Sequence, residues 1–441
     1  MNVHESEKLA AICEKMGYKF TDKREEADLI IFNTCAVREG AEDRVFGNVG
    51  ALKRMKKQNP NLIIAVCGCM TQKEVTANHM LKTFPFVDIV IGTFNLANFE
   101  YYVKAVEYGR LLDKKNHKKI SQKQLEESQS HSEFDGIIKS AKQLDIWQEG
   151  DIDESIPYLR TSGENAWVNI MQGCNNFCTY CIVPYVRGRE KSRTEENILK
   201  EIREIAAEGK YKKITLLGQN VNSYGKDLNP AVPFSKLLKD ICAIEGDFKL
   251  WFMTSHPKDL TDDVIDVVAS EDKILKDIHL PAQSGNNRIL NLMNRRYTRE
   301  KYLGIIKKIR EKMPDARITS DFIVGFPTET NEEFEDTMSL VEEVEYDSIF
   351  AFMYSPREGT VASKMDGQVE QVEKQRRVNA LLALEKKIQE RKKKWVKKMK
   401  YLQWWHIICK WNSNILIAYF FIALETFMSF FMKTLLLCLK F

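Results

Sequence analysis

The stretch that decides the fold and the chemistry reads Gly173-Cys174-Asn175-Asn176-Phe177-Cys178-Thr179-Tyr180-Cys181. It follows a short apolar run at 166–171 that is typical of a buried strand. Three cysteines on one loop suit a 4Fe-4S cluster, because three ligands leave one of the four irons open to a substrate or cofactor. Structural zinc is the alternative, but it prefers a closed set of four ligands and no fourth ligand lies nearby. We therefore predict an iron–sulfur centre at Cys174, Cys178 and Cys181.

The central region alternates between strand-like and helix-like patterns. Six short strand-like runs are separated by stretches of helical periodicity. This alternation is typical of a (β/α) barrel, here with six units at 164–398, whose active edge is formed by the carboxyl ends of the strands. The predicted strands are 166–171, 213–217, 248–254, 277–281, 317–324 and 348–354, and the predicted helices include 195–208, 234–245, 299–312 and 332–345.

A separate amino-terminal α/β domain is predicted for residues 1–105. Three short apolar runs indicate buried parallel strands with helices between them. Cys35 and Cys69 fall just after the first two runs, at the sheet edge where open α/β sheets place their ligands. A polar stretch at 106–163 is predicted to be a linker. The strands predicted for this domain are 28–33, 61–66 and 87–92.

The carboxyl-terminal residues change character twice. Residues 374–400 are rich in Lys and Arg and are predicted to form a basic helix, either solvated or in contact with phosphates. Residues 399–441 are an aberrant hydrophobic tail, in which 414–431 are long enough for a membrane helix. Because the tail lacks helix caps and turn residues, we favour translation out of frame after about Lys400 over a membrane anchor.

Composition limits the class of protein further. The 441 residues, 44% of them hydrophobic, are enough for about two to three domains. A net charge of +4 is too small to indicate nucleic-acid binding by itself. The first residues lack the apolar core of a signal peptide, and several of the ten cysteines are clustered. Both features favour a reducing cytoplasm, where clustered cysteines are more often metal ligands or redox groups than disulfides.

The spacing Cys-x3-Cys-x2-Cys, with an aromatic residue at Tyr180, resembles the signature of the radical S-adenosylmethionine (SAM) superfamily. Within that superfamily the chain resembles the methylthiotransferases, above all their MiaB-type, tRNA-modifying branch. The resemblance implies a flavodoxin-like amino-terminal domain followed by an open (β/α)6 radical-SAM barrel. It covers residues 1 to about 398 and rests on the segments 33–39, 166–171, 182–190, 217–225, 254–257, 279–285, 321–327 and 354–360.

The resemblance implies a reaction and its cofactors. The open iron of the 4Fe-4S cluster would chelate SAM, whose reductive cleavage gives a 5′-deoxyadenosyl radical. The product would carry a methylthio group on carbon 2 of N6-dimethylallyladenosine next to the tRNA anticodon. The implied partners are the tRNA anticodon stem-loop and a low-potential reductant such as flavodoxin or ferredoxin. We expect a cytoplasmic monomer that does not associate with a membrane.

The resemblance also implies a second, auxiliary 4Fe-4S cluster in the amino-terminal domain. Cys35 and Cys69 match two of its three cysteine ligands, and Cys67 is expected to be a bystander. The third ligand would lie just before Met1, and residues 399–441 stand where the family has an RNA-binding TRAM domain. Three alternatives therefore stay open: a truncated product that cleaves SAM without sulfur transfer, a non-catalytic metal-stabilised RNA-binding or membrane-tethered remnant, and an enzyme acting on a protein side chain.

Polar residues at the carboxyl ends of the barrel strands are our candidates for SAM contacts, with loop capping as the alternative for each. His256 and His279 also lie at strand ends, where packing or hydrogen bonding is the favoured role. Basic residues just after the cysteine loop are candidates for phosphate contact or for a solvated face. The SAM candidates are Gln219, Asn220, Ser255, Gln283, Ser320 and Asp321, with Tyr180 in the cysteine loop, and the basic residues are Arg187, Arg189, Lys191 and Arg193.

Overall fold

A computed structural model describes most of the chain in two units, Met1–Leu381 and Leu382–Phe441. No helix in the described part is long and apolar enough to span a bilayer. The hydrophobic segment considered above as an anchor, 414–431, lies outside the described residues. The residues that the structure describes are 1–36, 40–116, 142–150, 152, 154, 156, 158–160 and 163–411.

The amino-terminal sheet has four parallel strands in the order of the chain. They are β1 (Leu29–Thr34), β2 (Ile63–Gly68), β3 (Ile89–Ile91) and β4 (Gln143–Asp145). Strand β2 is buried along its whole length, as expected for an apolar, β-branched central strand. The helices of this region are Asn2–Lys15, Ala41–Ala51, Lys53–Gln58, Glu74–Thr83 and Phe99–Asn116, with short 3-10 turns at Arg24–Glu26 and Leu96–Asn98.

Helices cover both faces of this sheet. Successive side chains of β2 point to opposite faces, so Ala65 packs with the first and last helices of the region and Ile64 with the three helices between them. The three predicted strands are therefore confirmed. The predicted linker, 106–163, departs from expectation in two respects. The helix Phe99–Asn116 runs into it, and β4 lies within it and pairs with β3 as the fourth strand.

The second region contains six parallel strands that follow one another along the chain. The first three and the last three form two parallel sheets, and an isolated bridge pairs Leu250 of the third strand with Ile274, just before the fourth. This is the curved, open arrangement expected for a six-unit (β/α) barrel. Its strands are β5 (Asn165–Asn169), the short β6 (Met171–Gln172) and β7 (Lys191–Ser192), which pair only with each other, then β8 (Lys213–Leu217), β9 (Lys249–Phe252), β10 (Asp277–His279), β11 (Arg317–Val324) and β12 (Ser348–Met353).

The helices of this region begin at clear capping signals. Thr194, Thr298 and Thr330 each accept a hydrogen bond from a first-turn backbone N–H of the helix that follows. The predicted helices are thus confirmed to within a few residues. The helices are Val183–Arg187, Glu195–Glu208, Phe234–Cys242, Asp262–Ser270, Asn287–Leu292, Arg299–Lys312, Asn331–Val344 and Gln371–Trp411, with 3-10 turns at Val221–Ser223 and Ala362–Lys364.

The start of the helix Gln371–Trp411 is fixed to the barrel by a buried ion pair. Arg377 Nη1 donates to Glu329 Oε2 over 2.6 Å, and both side chains are almost fully buried. Glu329 also accepts a hydrogen bond from the backbone N–H of Gly325, at the end of β11. The pair therefore holds the loop after β11 as well as the helix.

Substitution of Arg377 by Met should destabilise the protein by about 3–5 kcal/mol, because it leaves the Glu329 carboxylate buried without its partner. The neighbouring Arg376, half-exposed and paired with Glu373, is the matched control. Its change to Met should cost about 0–1 kcal/mol. Urea unfolding of both variants measures the difference, and equal losses would contradict the assignment.

Candidate active site

The cysteine loop begins at a position that only glycine can occupy. Gly173 has φ +78°, and a Cβ atom there would lie 1.9 Å from the carbonyl oxygen of Arg189. The pairing of β6 with β7 closes the two ends of the loop, and the N–H of Cys174 donates to the carbonyl of Gly188 over 3.1 Å. The loop is therefore tied back on itself at its base.

The three thiols of the loop are partly or fully buried. Burial raises the pKa of Cys174 to about 11 and that of Cys181 to about 12. Among the described residues, no three His, Cys, Asp or Glu side chains already surround one point as metal ligands, and none of the described cysteines forms a disulfide. The fit of a 4Fe-4S cluster therefore rests on the donor set, three thiols on one tightly held loop with no competing fourth ligand.

A second segment, 292–297, packs against the same loop. The backbone N–H of Thr179 donates to the carbonyl of Met293 over 3.1 Å. The Thr179 hydroxyl donates to the carbonyl of Leu292 over 2.8 Å. The Asn294 side-chain amide donates to the carbonyls of Asn176 and Phe177. Sequence reasoning missed this segment, because it is irregular and has no periodicity that points to a site.

Four of the predicted SAM contacts leave a buried polar atom without a hydrogen-bond partner in the described part of the chain. The atoms are Gln219 Oε1, Asn220 Oδ1, Ser255 Oγ and Gln283 Oε1. Buried polar atoms without partners are costly, so four of them at one barrel edge indicate a polar ligand. Gln283 also has φ +69°, a strained conformation of the kind that is concentrated at functional sites. Three of the four atoms are amide oxygens, which accept hydrogen bonds, so they fit hydrogen-bond donors such as the amino and hydroxyl groups of SAM.

The other predicted contacts differ from these four. Ser320 Oγ accepts from the N–H of Ala282 and donates to the carbonyl of Leu280, so its hydrogen bonds are used within the fold. Asp321 is partly buried, with Oδ2 at 3.4 Å from Nε2 of His279. The Tyr180 hydroxyl lies 3.4 Å from Nη1 of Arg295. Ser320 thus supports the loop between β10 and Gln283, while Asp321 and Tyr180 are partly buried.

Cys35 and Cys69 lie at the carboxyl edge of the amino-terminal sheet, as predicted. Asn33 pairs with Cys67 and Thr34 with Gly68 in the register of β1 and β2, so Cys35 and Cys69 follow the ends of adjacent strands. Cys69 and Ala36 pack against Ile182 and Val186, directly after the last cysteine of the loop. Cys67 packs into the core of the amino-terminal region instead. This arrangement supports Cys67 as a bystander.

Arg187 does not belong to a phosphate-binding or solvated surface. It is buried, its Nε donates to Cys69 Sγ over 3.1 Å, and both Nη atoms donate to the carboxylate of Glu5. Arg193 is likewise buried and paired with Glu201. Of the predicted phosphate contacts, Arg189 stays exposed, with its guanidinium 4.4 Å from the ring centre of Phe177.

This chain is similar to known proteins along most of its length. The family model of the Radical SAM superfamily matches residues 168–341, and that of the uncharacterized protein family UPF0004 matches residues 1–92. The tRNA-2-methylthio-N(6)-dimethylallyladenosine synthase of Clostridium botulinum (strain Hall) is 52% identical over 89% of this chain and 81% of its own length. That of Carboxydothermus hydrogenoformans is 49% identical over 87% and 81%.

A solved structure shares the fold. The radical S-adenosylmethionine methyltransferase TsrM from Kitasatospora setae, with cobalamin and a [4Fe-4S] cluster bound, superposes with a TM-score of 0.53. The match covers 82% of this chain and 73% of that one at 12% identity. At that identity the likeness concerns the fold alone.

Substitution of Arg187 by Met should destabilise the protein by about 3–5 kcal/mol, because it leaves the buried Glu5 carboxylate without its ion-pair partner. The exposed Arg189 is the matched control, and its change to Met should alter stability by at most about 0.5 kcal/mol. Binding of tRNA should weaken in the Arg189 variant if that residue contacts phosphates. Urea unfolding and a filter-binding assay separate the two roles, and an unchanged stability in the Arg187 variant would contradict the buried pairing.

Proposed function

Because the chain belongs to the tRNA-2-methylthio-N(6)-dimethylallyladenosine synthase family of radical SAM enzymes, we propose how its residues carry out that family's reaction. The substrate is N6-dimethylallyladenosine next to the anticodon of tRNA, and carbon 2 of the base gains a methylthio group. The observation that carries the assignment to this site is the three-cysteine loop beside a barrel edge with unpartnered polar atoms. No other group of residues in the described part of the chain combines these two features.

The cluster and SAM would bind at neighbouring positions. Cys174, Cys178 and Cys181 would hold a 4Fe-4S cluster, which supplies the electron that cleaves SAM into methionine and a 5′-deoxyadenosyl radical. The barrel edge would bind the SAM molecule and keep water away from it. The residues proposed for those contacts are Gln219, Asn220, Ser255, Gln283, Asp321 and Tyr180, with Ser320 supporting the loop that carries Gln283.

The adenosine must leave its stack to reach this edge, as bases do in enzymes that react with them. Phe350 and Phe352 lie on β12 and are 51% and 48% exposed, which leaves ring surface for a base to stack on. Phe350 pairs across the strands with Asp321, so this apolar surface adjoins a proposed SAM contact. Arg189 is the basic residue best placed to meet tRNA phosphates, since its neighbours Arg187 and Arg193 are buried in ion pairs.

Cys35 and Cys69 are proposed as ligands of the auxiliary cluster, which takes part in sulfur donation in the resembling enzymes. A low-potential reductant such as flavodoxin or ferredoxin would deliver the electron. We also propose a monomeric active unit, since both sets of cysteines belong to one compact unit of one chain. The clustered cysteines and the tRNA substrate favour the cytoplasm as its site of action.

The protein is first reconstituted anaerobically with iron and sulfide. It should then convert N6-dimethylallyladenosine to 2-methylthio-N6-dimethylallyladenosine in tRNA that lacks the methylthio group. Mass spectrometry of the digested tRNA detects the added methylthio group. A Cys174→Ala variant should give neither this nucleoside nor 5′-deoxyadenosine, because the SAM cluster loses a ligand. Formation of 5′-deoxyadenosine by the unaltered chain without any modified tRNA would contradict the proposed function.

Cys69 and Cys67 form a matched pair for testing the auxiliary cluster. The Cys69→Ala variant should still cleave SAM but should lose methylthio transfer, because the auxiliary site is separate from the three-cysteine loop. The Cys67→Ala variant should retain both reactions, since Cys67 packs into the core. Methylthio transfer by the Cys69→Ala variant at the level of the unaltered chain would remove Cys69 from the proposed ligand set.

A further inference from the structure

A buried arginine lies directly beside the cysteine loop. Arg295 is 4% exposed, and its Nη1 lies 3.5 Å from the sulfur of Cys178. Its other contacts are the hydroxyls of Tyr180 and Tyr297 and the carbonyl of Pro281. Carbonyl groups and phenols are neutral near pH 7. Among these contacts, the sulfur is therefore the one atom that can bear a compensating negative charge.

The other buried arginines of the described residues have carboxylate partners. Arg187 pairs with Glu5, Arg193 with Glu201 and Arg377 with Glu329. No carboxylate in the described part of the chain forms an ion pair with Arg295. A buried charge without a counter-charge is costly, so a stable fold with this arginine needs an anion at the cysteine loop.

The backbone around Arg295 is held in an unusual conformation. Asn294 and Arg296, on either side of it, both have φ +57°, a left-handed conformation that costs energy for most non-glycine residues. Asn294 then uses its amide to hold the carbonyls of Asn176 and Phe177 in the cysteine loop. The turn therefore fixes the guanidinium against the loop, which agrees with a role at that site.

We propose that Arg295 is a positioning residue whose guanidinium compensates the negative charge of the cluster held by Cys174, Cys178 and Cys181. This inference rests on the cluster site proposed above. One-electron reduction adds one more negative charge to such a cluster, and a fixed neighbouring cation favours the more negative state. Arg295 thus raises the midpoint potential of the cluster and makes it easier for the electron donor to reduce.

Three variants separate charge from packing. The Arg295→Met variant removes the charge, Arg295→Lys keeps it, and Arg296→Met changes the exposed neighbour as the matched control. Each is prepared with Cys35 and Cys69 replaced by Ala, so that the cluster of the cysteine loop is observed alone. Redox titration of the reconstituted proteins, followed by electron paramagnetic resonance of the reduced cluster, gives the midpoint potential without relying on enzyme activity.

In the Arg295→Met variant the midpoint potential of the cluster should be more negative by at least about 59 mV, which is a tenfold change in the equilibrium constant for one-electron reduction. The Lys variant and the Arg296 control should stay close to the parent. Assembly of a cluster in the Lys variant but not in the Met variant would also support the need for a cation. An unchanged potential in the Met variant, or loss of the cluster in both Arg295 variants, would overturn the proposal.

Two other results would instead overturn the cluster site itself. They are the absence of a cluster signal from the parent protein and a cluster signal that persists after Cys174→Ala. The two failures are therefore distinguishable, because the cluster site is judged on the parent and its Cys174→Ala form, whereas the role of Arg295 is judged only on the Arg295 variants of a parent that has passed that test. Thermal unfolding of every variant, recorded beside the titration, reports whether the fold is retained.

Discussion

Neighbouring segments hold the cysteine loop in place through hydrogen bonds to the backbone of the loop. The catalytic assignment depends on these bonds. At its base, Gly173 allows a close approach to Arg189 that any side chain would block. At its far side, Thr179 and the carbonyls of Asn176 and Phe177 are bound by the segment 292–297. Paired backbone groups restrict the conformations open to a loop. The backbone that carries the three thiols is therefore held on two sides.

Two buried arginines connect this loop to the rest of the unit. Arg187 follows the loop closely and joins Glu5 and Cys69 of the amino-terminal region to the barrel. Arg295 reaches the loop from the other segment, through Cys178. Cys69 itself packs on Ile182 and Val186, next to the last cysteine of the loop. The loops that carry the two proposed cysteine sites are therefore in direct contact within one unit.

Most of the fold could be predicted from the sequence, because strands such as β2 and β12 are apolar runs of the right length that follow helical patterns. Strand β4 could not, since Gln143-Leu144-Asp145 is short, polar and only partly buried, and it is defined by pairing with β3. The three-cysteine loop was predictable from local spacing alone. The role of Arg187 was not, because its partner Glu5 is distant in sequence and only the folded chain brings them together. Arg295 was missed for the same reason.

The measurement that tests the site most directly is the iron and sulfide content per chain after anaerobic reconstitution, with and without Cys174→Ala. If Cys174, Cys178 and Cys181 hold a 4Fe-4S cluster, the substitution should remove about four irons and four sulfides per chain. Any iron at Cys35 and Cys69 should remain, because those residues lie in a different loop. Iron and sulfide contents unchanged by Cys174→Ala would show that the loop holds no cluster and would contradict the radical SAM assignment of this site.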